Sequence, residues 1–262
     1  NGKEFDAKKG LNWYDYGARW YDAATGRWHV IDPMAAGYYP ISPYVYCGNN
    51  VINRIDPTGM KWDDVNEAER LKNKIDKKIV SLNKNIEKWQ AQIDNGKLSD
   101  KKQARLNSKL DEAKARVANL QQSKQDIDLL GADKDNTYAF NHTNGGLHQV
   151  WKGEDGLVYI DTSSDALSIH EITHVRQSLK RIGKLQFRNN LLENAGRTNY
   201  ETFSSMEIEA YQMQYSYDLS FPGNTLGKGL QGIDVHSVGN IFNPQTGKPV
   251  YPIIWRYSQS LK

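Results

Sequence analysis

One cysteine, Cys47, occurs in 262 residues, which excludes a disulfide framework and any zinc site built on thiolates. No apolar run approaches the roughly 18 residues that a membrane-spanning helix needs. No Lys/Arg block with interleaved aromatics is present, so the net charge of +3 carries no nucleic-acid footprint. A phosphate-binding Gly loop ending in Lys is also missing. The opening Asn1-Gly2-Lys3-Glu4-Phe5 lacks Met and the charged-then-apolar layout of a signal peptide, and reads as internal to a longer polypeptide.

What is present is unevenly spread. Residues 1–60 hold 11 of the 28 aromatics and seven glycines, whereas 61–128 hold Trp62, Trp89, one glycine (Gly96) and no proline. The other 15 aromatics fall in 129–262. Charge follows the same borders: six of each sign, then sixteen basic against twelve acidic, then twelve against thirteen. The basic excess therefore belongs to the middle segment, where opposite signs alternate as on a solvated helix face.

That middle segment carries two heptad seams. Ile75, Ile79, Leu82, Ile86, Trp89 and Ile93 recur at alternating spacings of four and three, as do Leu106, Leu110, Ala113, Val117 and Leu120, with Ile127 in phase. Between them, Gly96 can end one helix in the left-handed conformation and Ser99 can cap the next. The spacing predicts two helices of roughly 30 residues folded back as an antiparallel coiled-coil hairpin, read as a stiff spacer.

Residues 1–60 are dense in turn signals: Tyr21-Asp22-Ala23-Ala24-Thr25-Gly26, Asp32-Pro33, Gly48-Asn49-Asn50 and Asp56-Pro57-Thr58-Gly59. Tyr and Trp between such turns predict short strands at the edge of a larger β structure. Tyr14-Asp15-Tyr16-Gly17-Ala18-Arg19, Gly26-Arg27-Trp28, Ser42-Pro43-Tyr44, Tyr46-Cys47-Gly48-Asn49-Asn50 and Ile55-Asp56-Pro57-Thr58-Gly59 together resemble the RHS-repeat-associated core in its Bacteroidetes-type form. The resemblance implies a β shell enclosing a variable C-terminal toxin that begins after the Asp-Pro-x-Gly motif. It also implies self-cleavage near Met60-Lys61 by aspartates at the positions of Asp32 and Asp56. Two close carboxylates sharing a proton suit such chemistry. The first motif reads Asp32-Pro33-Met34-Ala35, without its Gly, and both Asp-Pro pairs also read as turn initiators.

The C-terminal segment carries the chemistry. His170-Glu171-Ile172-Thr173-His174 is an H-E-x-x-H string preceded by the capping residues Ser163, Ser164 and Asp165. Ile169, Ile172, Val175 and Leu179 form the apolar stripe of a helix, which sets both His one turn apart on one face, able to reach one zinc ion (Zn2+). A catalytic zinc needs a third protein ligand and an open position. Ser205-Met206-Glu207-Ile208-Glu209-Ala210, on a second predicted helix, resembles the ligand-bearing helix of gluzincin-type metallopeptidases, which implies Glu207 as ligand with Glu209 as its rival. Glu193 and Glu201 lack the small residue that lets two helices approach. Strands over 137–142, 147–151 and 157–161, with a turn at Gly153-Glu154-Asp155-Gly156, precede the H-E-x-x-H helix in zincin order.

In that arrangement Glu171 is the general base and acid. His236 and Tyr211 are candidate transition-state stabilisers, while His142 and His148 read as ordinary polar residues and His29 belongs to the shell segment. The expectation is an α+β protein in three parts: an RHS shell segment (1–60), a helical hairpin (61–128) and a zincin-like metallopeptidase effector (129–262). Such an effector would be delivered into a target cell, would cleave a protein or peptide, and would be matched by an immunity protein, with the remainder of the shell as a further partner. The competing expectations are a non-enzymatic RHS fragment that binds a partner or cell surface, and a zinc hydrolase acting on peptidoglycan.

Overall fold

The computed structural model describes residues 3–7, 10–32, 42–49, 51–52, 54–56, 63–64, 67–143, 148–193, 199–222 and 229–261. Helices and strands mix throughout, with six α-helices and three small sheets among these residues. None of the helices is long and apolar enough to cross a membrane.

Short aromatic strands open the chain. β1 (Glu4–Asp6), β2 (Trp13–Asp15), β3 (Trp20–Asp22) and β4 (Arg27–Trp28) form an antiparallel meander. Strands of two or three residues bury little by themselves, so ring packing supplies the core: Tyr16 meets Trp28 edge-on at 5.0 Å and Tyr21 lies 4.3 Å from Tyr46. Val30, Ile31, Val51 and Ile52 remain exposed on this segment. β5 (Arg54–Ile55) pairs with β6 (Asp63–Asp64). Most of both Asp-Pro motifs and the Met60-Lys61 position lie outside the described residues.

The heptad segment forms α1 (Glu67–Asp94) and α2 (Asp100–Ala132), of 28 and 33 residues. Gly96 takes φ +66 at the reversal, the left-handed conformation that a side chain would resist. Ser99 begins α2 through its carbonyl, which accepts from the backbone N–H of Lys102 and Gln103; its side chain makes no capping bond. The composition border at 128 falls inside α2. Moreover, α2 buries a second, polar face, including Ser123 and Asp126, because it packs on two helices further along the chain.

The rest of the chain supplies those helices and a mixed sheet. β7 (Tyr138–His142), β8 (Gln149–Lys152) and β9 (Val158–Thr162) are joined by β10 (Phe187–Arg188) and β11 (Leu191–Leu192) in the order β10-β11-β8-β9-β7. Only β7 and β9 run parallel. β9 is buried at every position, and its alternation splits it between two cores. Val158 and Ile160 face the main core, while Tyr159 joins Ala139 and Leu157 on the other side.

α3 (Asp165–Ile182) follows β9 directly, with Ser164 Oγ accepting from Leu167 N at 3.3 Å and Gly183 at φ +78 ending it. α4 (Tyr200–Asp218) is capped by Asn199, whose side chain accepts from the N–H groups of Glu201 and Thr202. α5 (Val235–Gly239) and α6 (Pro252–Ser260) close a second core against α4 around Phe203, Tyr211, Val238 and Ile254. The main core joins Leu71, Ile75, Leu120 and Ile127 of the hairpin to Ile169, Ile172, Val175, Met213 and Tyr217. Hairpin and C-terminal segment thus share one interior.

A charged knot ties the three helices at the edge of this core. Asp165 accepts from Arg70 (2.7 Å) and Lys74 (2.8 Å) of α1 and from the Tyr217 hydroxyl (2.9 Å) of α4. Burial by itself raises the Asp165 carboxyl, but these three donors outweigh it and hold it at about 2. A carboxyl depressed by folding adds stability above its unfolded value near 4 and loses it as pH falls towards 2. Asp165→Asn is therefore expected to destabilise the protein at pH 5 to 7, and the gap should close between about pH 4 and 2. Urea titrations of both proteins at several pH values measure it; a gap independent of pH would contradict this account.

Candidate metal centre

Burial of Ile169, Ile172 and Val175 fixes the rotation of α3 and turns His170 and His174 towards α4. Ala210 of α4 is fully buried, and α3 and α4 pack closely along this stretch. The facing carboxylate is Glu207, only 3% exposed. His170 Nε2 and His174 Nε2 lie 3.2 Å apart, and Glu207 Oε2 stands 3.5 Å from the second and 3.7 Å from the first. A tetrahedral zinc bonded at about 2.0–2.1 Å separates its ligand atoms by about 3.3–3.4 Å. The triad fits such an ion in both chemistry and spacing. Among the described residues it is the cluster of His, Cys, Asp and Glu able to hold a metal.

Glu209 is turned away from this cluster. Its carboxylate takes Arg176 Nη2 at 2.7 Å and Gln177 Nε2 at 2.8 Å. Two residues along a helix is a rotation of about 200°, so α4 can offer only one of the two glutamates to the His pair.

The electrostatics of the triad are those of a tightly packed ionic cluster. Burial lowers the His174 imidazole, but the Glu207 carboxylate more than offsets this and lifts it to about 9. Burial likewise raises Glu207, and the two imidazoles, His174 foremost, reverse that and hold it well below the ordinary carboxylate range.

A cleft of about 300 Å³ opens onto the triad. Glu171 lines it beside the triad. His148, Gln149, Val150, Leu191 and Leu192 line it as well. β11 pairs with β8 only at Leu191–Trp151, and Gln149 and Val150 lie beyond that pair.

Of the two proposed transition-state stabilisers, Tyr211 sits behind the site. Its ring meets that of His170 edge-on at 4.5 Å, and its hydroxyl is 3.0 Å from the hydroxyl of Tyr251. Tyr251 is the residue that reaches the cleft wall. Burial, then the charge of Glu207, pushes its phenol well above the ordinary value, so it stays protonated and able to donate. His236 is not in the wall: it lies on α5, with its backbone N–H donating to Asp234. Tyr251 precedes a Pro-initiated helix forty residues from Tyr211, and no local pattern in the sequence marks it.

The N-terminal pair also converges. Arg19, fully buried, places Nη2 2.8 Å from Asp32 Oδ2 and 3.2 Å from Asp56 Oδ2, and stacks 4.2 Å over the Trp28 ring. These two ion pairs tie both aspartates to the aromatic meander. Sequence reasoning had no means of finding Arg19, because Tyr-Gly-Ala-Arg gives no sign of burial.

A mixed α and β chain carrying a buried His-His-Glu cluster at the foot of a cleft is the class that these observations define. Over 58 residues, 22% of its length, the chain is 47% identical to salivary gland surface protein 1 of Aedes aegypti. That stretch spans 2% of the mosquito protein. Neither a protein-family model nor a solved structure matches the chain.

Proposed function

We propose that this chain is a zinc metallopeptidase of zincin type, carried behind the end of an RHS-like shell as a toxin effector. The observation that carries the peptidase reading is the convergence of His170, His174 and Glu207 at tetrahedral spacing, with Glu171 in the same cleft. When bound, zinc lowers the pKa of a water ligand and polarises the scissile carbonyl. The protein does the rest. His170, His174 and Glu207 would hold the ion at the foot of the cleft. Glu171 accepts the proton of the attacking water and passes it to the departing amine. The Tyr251 hydroxyl, at the cleft wall, would donate a hydrogen bond to the oxyanion. An extended peptide would lie along Gln149 and Val150 and pair through its main chain.

The toxin context rests on the resemblance of residues 1–60 to an RHS core, from which a protein or peptide substrate in a target cell and a cognate immunity protein follow. Metal analysis tests the site: the purified protein is expected to hold one zinc per chain, and His174→Ala to hold none. A chain with no metal, whose effect on cells His174→Ala leaves unchanged, would instead be a non-enzymatic binding fragment. Cleavage of peptidoglycan but no protein in a target-cell extract would move the reading to a cell-wall hydrolase.

A further inference from the structure

The network behind His174 goes further than the triad. Gln177 lies one turn beyond His174 on α3 and is buried. Its Nε2 donates to the backbone carbonyl of Met206 at 3.0 Å and to Glu209 Oε2 at 2.8 Å. Both of those partners are acceptors only, so the amide cannot be flipped without setting its oxygen against a carbonyl and a carboxylate. Oε1 must therefore face the other way, where it lies 2.9 Å from His174 Nδ1. An amide oxygen only accepts, so Nδ1 carries a proton, and Nε2 is the nitrogen turned towards Glu207 and His170, the one whose lone pair a metal bound there would take.

We propose that Gln177 is a positioning residue of the metal centre, fixing both the tautomer and the ring orientation of His174. The inference rests on the metal-site reading above. Its anchorage runs well back into the protein. The second oxygen of Glu209 is held by Arg176 Nη2 at 2.7 Å, and Arg176 Nε in turn by Asp126 Oδ2 of α2 at 2.9 Å. A chain of polar contacts thus passes from the helical hairpin through three helices to one ligand. His170 differs: its Nδ1 is buried and has no hydrogen-bond partner among the described residues. Of the two imidazoles, His174 is the one whose orientation the protein dictates.

Zinc affinity, measured by competition with a chromophoric chelator, tests the assignment. Gln177→Leu keeps the volume and removes the acceptor, and is expected to weaken zinc binding about 10–100-fold, as loss of an outer partner does. Glu209→Ala, at a half-exposed position, frees the Gln177 amide without opening the core and should weaken binding in the same direction by less. In the zinc-loaded wild type, nitrogen-15 spectra should show a slowly exchanging proton on His174 Nδ1, a signal that Gln177→Leu loses. Wild type that binds zinc with affinity equal to that of a folded Gln177→Leu overturns this inference and leaves the metal centre standing. If Gln177→Leu does not fold, a zinc-loaded wild-type His174 protonated on Nε2 rather than Nδ1, or a Glu209→Ala affinity identical to wild type, overturns it. Wild type that binds no zinc overturns the metal reading itself, and this inference with it.

Discussion

Glu171→Gln is expected to lower turnover of a cleavable substrate by about 10²–10⁴-fold while zinc content stays at wild-type level. The substitution keeps the size of the side chain and removes only its basicity. Glu171 lies next to the proposed ligand His170 in sequence and lines the cleft, yet it is not a member of the His170, His174 and Glu207 cluster. A change at this position therefore separates chemistry from metal retention. His174→Ala removes both, and Gln177→Leu weakens metal binding while sparing the base. These three outcomes distinguish a general base, a ligand and a positioning residue by two measurements, metal content and rate. If Glu171→Gln lost its zinc along with its activity, Glu171 would be a ligand and the proposed division of labour would be wrong. If it kept full activity, the cleft chemistry would have to be sought elsewhere.

How far the sequence could lead depended on the range over which each residue acts. H-E-x-x-H is legible because its members act one helical turn apart, and the flanking Ile169, Ile172 and Val175 stripe sets which way they face. Glu207 was legible only as one of two candidates, because a helix face can be counted but its rotation against a neighbour is set by packing. The heptad seams gave both helices of the hairpin to within a few residues at most ends. They could not show that α2 has a second face, since Ser123 and Asp126 look solvated by composition and become buried only against α3 and α4. Gln177 stands three residues after His174, and that spacing was a readable signal. Tyr251, Arg19 and Asp126 act across distances of 13 to 50 residues in the chain, where no periodicity applies.

Deleting the hairpin is expected to abolish folding and metal binding together. A chain covering 133–262 retains every proposed ligand, the general base and Tyr251, yet loses the side of the core formed by Leu71, Ile75, Leu120, Ile127 and Leu130. Ile169, Ile172, Val175, Met213 and Tyr217 would keep only the cover that the sheet and one another supply. Full burial of each such side chain is worth about 1.5–3 kcal/mol. Losing even half of that from all five is comparable with the lower end of an ordinary domain's stability, about 5–15 kcal/mol. Polar losses add to this. Arg176 would lose Asp126, and breaking a buried pair by removing one partner costs about 3–5 kcal/mol. The carbonyl of Ser216 at the end of α4 would lose both Arg116 donors. Circular dichroism and zinc content of the 133–262 and 63–262 chains give the comparison. The longer chain should melt cooperatively and bind one zinc; the shorter should do neither. A folded, zinc-binding 133–262 chain would return the hairpin to the role of spacer that its heptads first suggest. Loss of both properties would make it part of the same folding unit, because the helix bearing His170 and His174 shares its core with the hairpin.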